Sequence, residues 1–100
     1  MHKLVVLYGA PKDPAHFKSY YEATHLPLAK KLPGLKAMRY SFDTKGLGGP
    51  APYFCVFEGD FDSEAALMAA LQSKEGAAVG GDVKNYASGG VTMMHYSVKS

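Results

Sequence analysis

One hundred residues with a formal net charge of +2, 47% hydrophobic and 20% charged, describe one folded domain with a thin core and exclude a disordered or polyelectrolyte chain. The eleven Lys and Arg residues are scattered, with Lys30 and Lys31 the adjacent pair, so the basic stripe of a nucleic-acid binder is missing. The single cysteine, Cys55, excludes an intrachain disulfide and every multi-cysteine metal site, and it fits a reducing, cytoplasmic setting.

Residues 3–8, KLVVLY, are rich in β-branched and aromatic side chains and run into Gly9, Pro11 and Pro14, which predicts a buried strand ending in a turn. The apolar run from Leu4 to Tyr8 is too short for a signal-peptide core or a membrane span, so no membrane partner is expected. Asp13 is placed to accept the free N–H groups of a first helical turn, and Pro14 suits the first helical position. Phe17, Tyr20, Tyr21 and His25 then recur at three- and four-residue spacing, giving the helix an aromatic face. Pro27 predicts a stop, kink or restart, with one or two further turns before Pro33 and Gly34.

Residues 35–43 read as a second strand, 45–52 as a flexible connection, and 53–61 as a third strand that is apolar on both faces. Asp62 or Ser63 can cap a second helix, SEAALMAALQS. Residues 74–90 continue helically to about Tyr86, although Gly76, Gly80 and Gly81 each weaken a helix by about 1 kcal/mol relative to Ala. VTMMHYSVKS closes the chain as a fourth strand. The order βαββαβ predicts the ferredoxin-like α+β fold, a four-stranded antiparallel sheet with two helices on one face. The strands carry apolar residues on both faces, Leu4, Val6 and Tyr8 against Val5 and Leu7, then Tyr53, Cys55 and Phe57 against Phe54 and Val56. A second copy packed sheet to sheet, as a two-fold homodimer, is the economical cover for the outer face.

The stretch FKSYYEATHLPLAKKLPGLKAMRY resembles the EthD family, called after ethyl tert-butyl ether degradation, within the wider group of dimeric α/β-barrel proteins. The later run SKEGAAVGGDVKNY is similar to that family's second-helix region. The resemblance implies a ferredoxin-like protomer, a homodimer whose sheets form a barrel, and a mainly apolar pocket between helices and sheet. It implies no single reaction, because the fold hosts isomerases, cyclases, dehydratases, cofactor-independent monooxygenases and proteins with no assigned activity. His25 is the position matching the family's characteristic histidine.

His25 is the leading catalytic candidate, since imidazole gives or takes a proton near neutral pH, although the same residue can simply satisfy a carbonyl freed by Pro27. Tyr40 shares a register with Met38 and Phe42, and Arg39 shares the other with Ala37 and Ser41, so one of the two faces inward to hold developing negative charge. Tyr20 and Tyr21 pack the helix or line a pocket for a flat apolar ligand, and Tyr96 or its neighbour His95 can enter the pocket from the last strand. Cys55 reads as a buried small hydrophobe. The four histidines lack the short spacing of metal pairs, so neither metal nor cofactor is expected, and GLGG at 46–49 reads as a loop and not a phosphate cradle.

The expected function is binding of a small, apolar, oxygenated molecule, with cofactorless isomerisation, cyclisation or dehydration through His25. One acid or base supplies about 10² to 10⁴ in rate, enough for an activated substrate but not for an unactivated ether. The alternatives are a non-catalytic carrier of a hydrophobic metabolite and a cofactor-independent monooxygenase acting on a phenolic substrate.

Overall fold

The computed structural model describes residues 1–100. In chain order it contains β1 (His2–Tyr8), α1 (Pro14–Tyr20), a π-helical turn (Tyr21–His25), α2 (Leu26–Ala29), β2 (Ala37–Ser41), β3 (Cys55–Phe61), α3 (Glu64–Gln72), α4 (Lys74–Asp82), a 3-10 turn (Val83–Asn85) and β4 (Val91–Ser97). The strands form one sheet in the order β2-β3-β1-β4, with every neighbouring pair antiparallel. This is the expected ferredoxin-like arrangement. No helix is long and apolar enough to cross a membrane.

Period-two alternation sends Leu4, Val6 and Tyr8 of β1 and Cys55, Phe57 and Phe61 of β3 to the helical side, where they meet Phe17, Tyr21, Leu67 and Tyr86 in one core. Phe54, expected on the far face, packs its ring 5.1 Å from that of Phe17. The strand begins only at Cys55, so the alternation does not reach back to Phe54.

The first helix starts as the sequence dictates. Asp13 is extended and accepts the His16 N–H at 3.1 Å, with Pro14 directly after it. At the other end the chain passes through Pro27 instead of stopping. In a regular α-helix the proline ring would meet the carbonyl four residues back, at Ala23. Here the Leu26 N–H reaches Tyr21 O, five residues back, so the backbone widens by one residue and winds on to Ala29. Gly34, at φ 79°, then turns the chain towards β2 in a conformation that side chains rarely adopt.

The second helical region is two helices sharing one residue. Ser73 donates its hydroxyl to Ala70 O at 2.6 Å and accepts the Gly76 N–H at 3.1 Å, so it ends α3 and caps α4. The corner is tight, and a Cβ on Gly76 would collide with the carbonyl oxygens of Ala70 and Leu71. α4 and the 3-10 turn end at Tyr86, where the helical pattern was expected to end.

The far face of the sheet is mixed and not uniformly apolar. Lys3 pairs with Glu58 at 2.9 Å and Asp60 at 3.5 Å, while Arg39 pairs with Asp60 at 3.1 Å and Glu58 at 3.7 Å. Beside this quartet lie Val5, Leu7, Met94 and Tyr96. All seven residues of β4 are exposed.

Candidate functional site

The π-helical turn sets His25 over the core and under α4. Its ring is 3% exposed, stacked at 5.3 Å and 22° on Tyr21 and lying 4.6 Å from the ring of Tyr86. The Nδ1 atom lies 2.9 Å from Oδ2 of Asp82, the last residue of α4. An ionised carboxylate only accepts, so Nδ1 carries the hydrogen and Nε2 holds the free lone pair of neutral imidazole.

Asp82 is itself held by three donors. The Tyr20 hydroxyl donates to Oδ1 at 2.6 Å and Asn85 Nδ2 donates to the same oxygen at 2.9 Å, with the His25 Nδ1–H on Oδ2. Burial pushes the Asp82 carboxyl up, but these hydrogen bonds together outweigh it and hold the group below the ordinary carboxylate value. Burial lowers the His25 pKa, and the attraction of Asp82 offsets this only in part. The pair is therefore a neutral imidazole oriented by an ionised carboxylate.

Next to His25 is a cavity of about 80 Å³ between the helices and the sheet. Val6 and Phe57 form its floor, Ala29, Leu32 and Val79 its walls, and Met93 stands on β4 at its edge. Its polar lining residues are His25 and Tyr8, and the Tyr8 hydroxyl is already paired with that of Tyr86 at 2.8 Å. With Nδ1 taken by Asp82, Nε2 is the nitrogen that His25 can offer to the cavity. The volume is about half that of the dry cavities that hold a benzene ring, so it fits a short alkyl or carbonyl end and not a polycycle.

The other residues singled out in the sequence fall in different places. Tyr20 enters the site through its bond to Asp82, and Tyr21 through its stacking on His25. Tyr40 is on the helical side, with its ring 5.9 Å from that of Tyr21, but its hydroxyl donates to Glu22 at the surface, one ring removed from His25. Arg39 and Tyr96 are on the opposite face of the sheet, so the structure does not bring them to His25: Arg39 is engaged with Asp60, and Tyr96 pairs with Lys3 across the ladder. Cys55 is fully buried, and burial pushes its thiol up to about 12, which keeps it protonated and inert.

Asp82, Asn85 and Tyr86 are the members that sequence reasoning missed. Asp82 and Tyr86 are four residues apart, a same-face helical spacing, but nothing local connects them to a histidine 57 positions away.

Fold and site together define a small ferredoxin-like α+β protein with a buried His–Asp pair beside an apolar cavity. The chain belongs to the EthD family: the model of the EthD domain matches residues 10–90. It is 34% identical over 94 residues to the "Uncharacterized 11.0 kDa protein in thcB-thcC intergenic region" of Rhodococcus erythropolis, covering 94% of this chain and 91% of that one. A crystal structure of an ethyl tert-butyl ether degradation family protein from Bacillus halodurans superposes with a TM-score of 0.91 at 31% identity, covering 99% of both chains. Two more distant structures share the fold. One is a dimeric ferredoxin-like protein of unknown function from Jannaschia (TM-score 0.69, 22% identity, 97% of both chains). The other is SnoaB, a cofactor-independent oxygenase from Streptomyces nogalater (TM-score 0.68, 13% identity, 99% of this chain and 93% of that one).

Proposed function

We propose that this protein binds the apolar end of a small oxygenated molecule in the cavity and that His25 Nε2 moves a proton on it, in a cofactorless isomerisation, cyclisation or dehydration. The observation that carries this reading is the 2.9 Å contact between His25 Nδ1 and Asp82 Oδ2 in a ring that also borders the cavity. Asp82 fixes the tautomer, so that Nε2 receives the proton from a carbon next to a carbonyl, and the carboxylate stabilises the imidazolium that forms. The same nitrogen returns the proton at a new position, which completes an isomerisation with no external oxidant or reductant.

The working unit is proposed to be a homodimer in the cytoplasm, sheet face to sheet face. The mixed far face with its uncovered β4 and the description of fold neighbours as dimeric support the dimer, and the lone free cysteine suits the compartment.

Hydrogen–deuterium exchange tests the chemistry without knowledge of the product. Short lactones and enones that shift the His25 ring signals in NMR would be incubated with the protein in heavy water. The expected result is exchange at the acidic carbon, falling by about 10² to 10⁴ in His25→Ala. Asp82→Asn should fall by less while retaining ligand. Binding with no exchange above the uncatalysed rate would refute proton transfer and leave a carrier.

A second reading draws on the same base. A neutral imidazole next to an apolar pocket also suits deprotonation of a phenol that then reacts directly with oxygen, and the SnoaB fold neighbour is described as a cofactor-independent oxygenase. Oxygen uptake with a dihydroxyaromatic compound separates the two.

A further inference from the structure

At the other end of β1 from the His–Asp pair, three residues far apart in sequence come together. His2 opens β1, His95 lies on the adjacent β4, and Glu64 is the first residue of α3. The β1–β4 ladder opposes His2 to Ser97 and Leu4 to His95, which places both imidazoles on the helical face as diagonal neighbours. His2 Nε2 and His95 Nδ1 are 2.8 Å apart, and one ligand-type atom from each of His2, His95 and Glu64 falls within 4.8 Å of the others.

From these positions we propose that His2, His95 and Glu64 bind a divalent first-row transition-metal ion, of which zinc is the simplest case. Two imidazoles and a carboxylate are a donor set that zinc and its neighbours accept. Nitrogens about 2.0–2.1 Å from one ion stand about 2.9 Å apart at a right angle and about 3.3 Å apart at the tetrahedral angle, so the observed spacing is within a small side-chain rotation of either. Each ligand is also prepared. Glu64 has no ion pair or hydrogen bond elsewhere, leaving its carboxylate uncommitted, whereas Glu58 and Asp60 of the far face are ion-paired with Lys3 and Arg39. His2 is 5% exposed, and its other ring nitrogen lies 3.5 Å from Ser97 Oγ, the outer contact that orients a ligating histidine. His95 and Glu64 are exposed, so an ion can enter and one or more positions stay open to solvent.

The site does not serve the His25 chemistry directly, since His2 is six residues along β1 from Tyr8, about 20 Å at strand rise. It ties together the start of β1, the end of β4 and the start of α3. β4 is an edge strand with every residue exposed, so a cross-link to it has a clear structural use.

The test is a zinc titration of untagged, chelator-treated full-length protein by calorimetry, with bound metal counted after gel filtration. The expected result is one zinc per chain and a melting temperature that rises with zinc concentration. His95→Ala should weaken binding by more than about 100-fold, beyond the cost of losing an outer contact, and Glu64→Gln by about 10-fold or more. Both residues are exposed, so neither change threatens folding, and circular dichroism checks this directly. His16→Ala, which removes a histidine outside the cluster, should bind zinc like the parent. No binding, or binding that His95→Ala and Glu64→Gln leave unchanged, would reduce the contact to a hydrogen bond between two histidines and overturn the proposal.

Discussion

At the scale of single residues, the His25–Asp82 pair contributes two lowered pKa values to the pH dependence of stability, beside the lowered carboxyls of Asp43 and Asp60. Burial holds folded His25 below the ordinary 6.5, so the unfolded chain binds that proton more tightly. Its contribution is complete above about pH 6.5 and is lost as pH falls through the lower folded value. Asp82, also lowered, loses its contribution only as pH falls below the ordinary 3.8 and through its own folded value. Urea midpoints should therefore fall in two stages on acidification, and His25→Gln should remove the upper one. Tyr21 gives a second expectation. Its hydroxyl is buried beside the Tyr8 hydroxyl and the Cys55 thiol but makes no well-formed hydrogen bond to either, and an unpaired buried hydroxyl costs about 1–3 kcal/mol. Tyr21→Phe should raise stability by about 1 kcal/mol in a urea melt, whereas Tyr20→Phe, which strips a donor from Asp82, should lower it by about as much. What the sequence could show of these residues was limited by range. The aromatic spacing around His25 is local and legible. Its partner Asp82 is not, and the choice between Tyr40 and Arg39 needed the position of the helices, which alternation along one strand does not contain.

At the scale of elements, the caps were legible because they depend on neighbours in sequence: Asp13 with Pro14, and Ser63 accepting the Ala66 N–H at 3.1 Å. The passage through Pro27 was less so. Proline chemistry permits a stop, a kink or a widened turn, and the packing of Tyr21, His25 and Leu26 into the core selects the last. The α3–α4 corner reverses a propensity argument. By helix preference alone, Gly76→Ala would gain about 1 kcal/mol. The added methyl meets two backbone carbonyls that cannot move independently, so a net loss of about 1–3 kcal/mol is expected, measured by urea denaturation. Because Gly76 also borders the cavity, the same variant should bind ligands of His25 more weakly. The His2–His95 contact shows the same limit of local reading: strand pairing, not spacing along the chain, brings the two together.

At the scale of the whole molecule, the far face argues for assembly through β1 and β4. Met94 is 49% exposed and Tyr96 44%, next to a charge quartet that is internally balanced and leaves no net charge to repel a second copy. Native mass spectrometry should give twice the chain mass, and Met94→Asp should return it to the monomer with the ferredoxin-like fold retained by circular dichroism. A parent that stays monomeric at micromolar concentration would remove the sheet-to-sheet interface.

The strand order β2-β3-β1-β4 has one more consequence. The loop from Phe42 to Phe54 divides the chain into two βαβ halves, yet every ladder joins a strand of one half to a strand of the other: β1 to β3, β1 to β4 and β2 to β3. His25 and Asp82 are divided in the same way. Neither half has a sheet of its own, so each should be unstructured alone, and the two should fold only on meeting, like the fragments of a split reporter. The His–Asp contact would then be the signal that they had found each other.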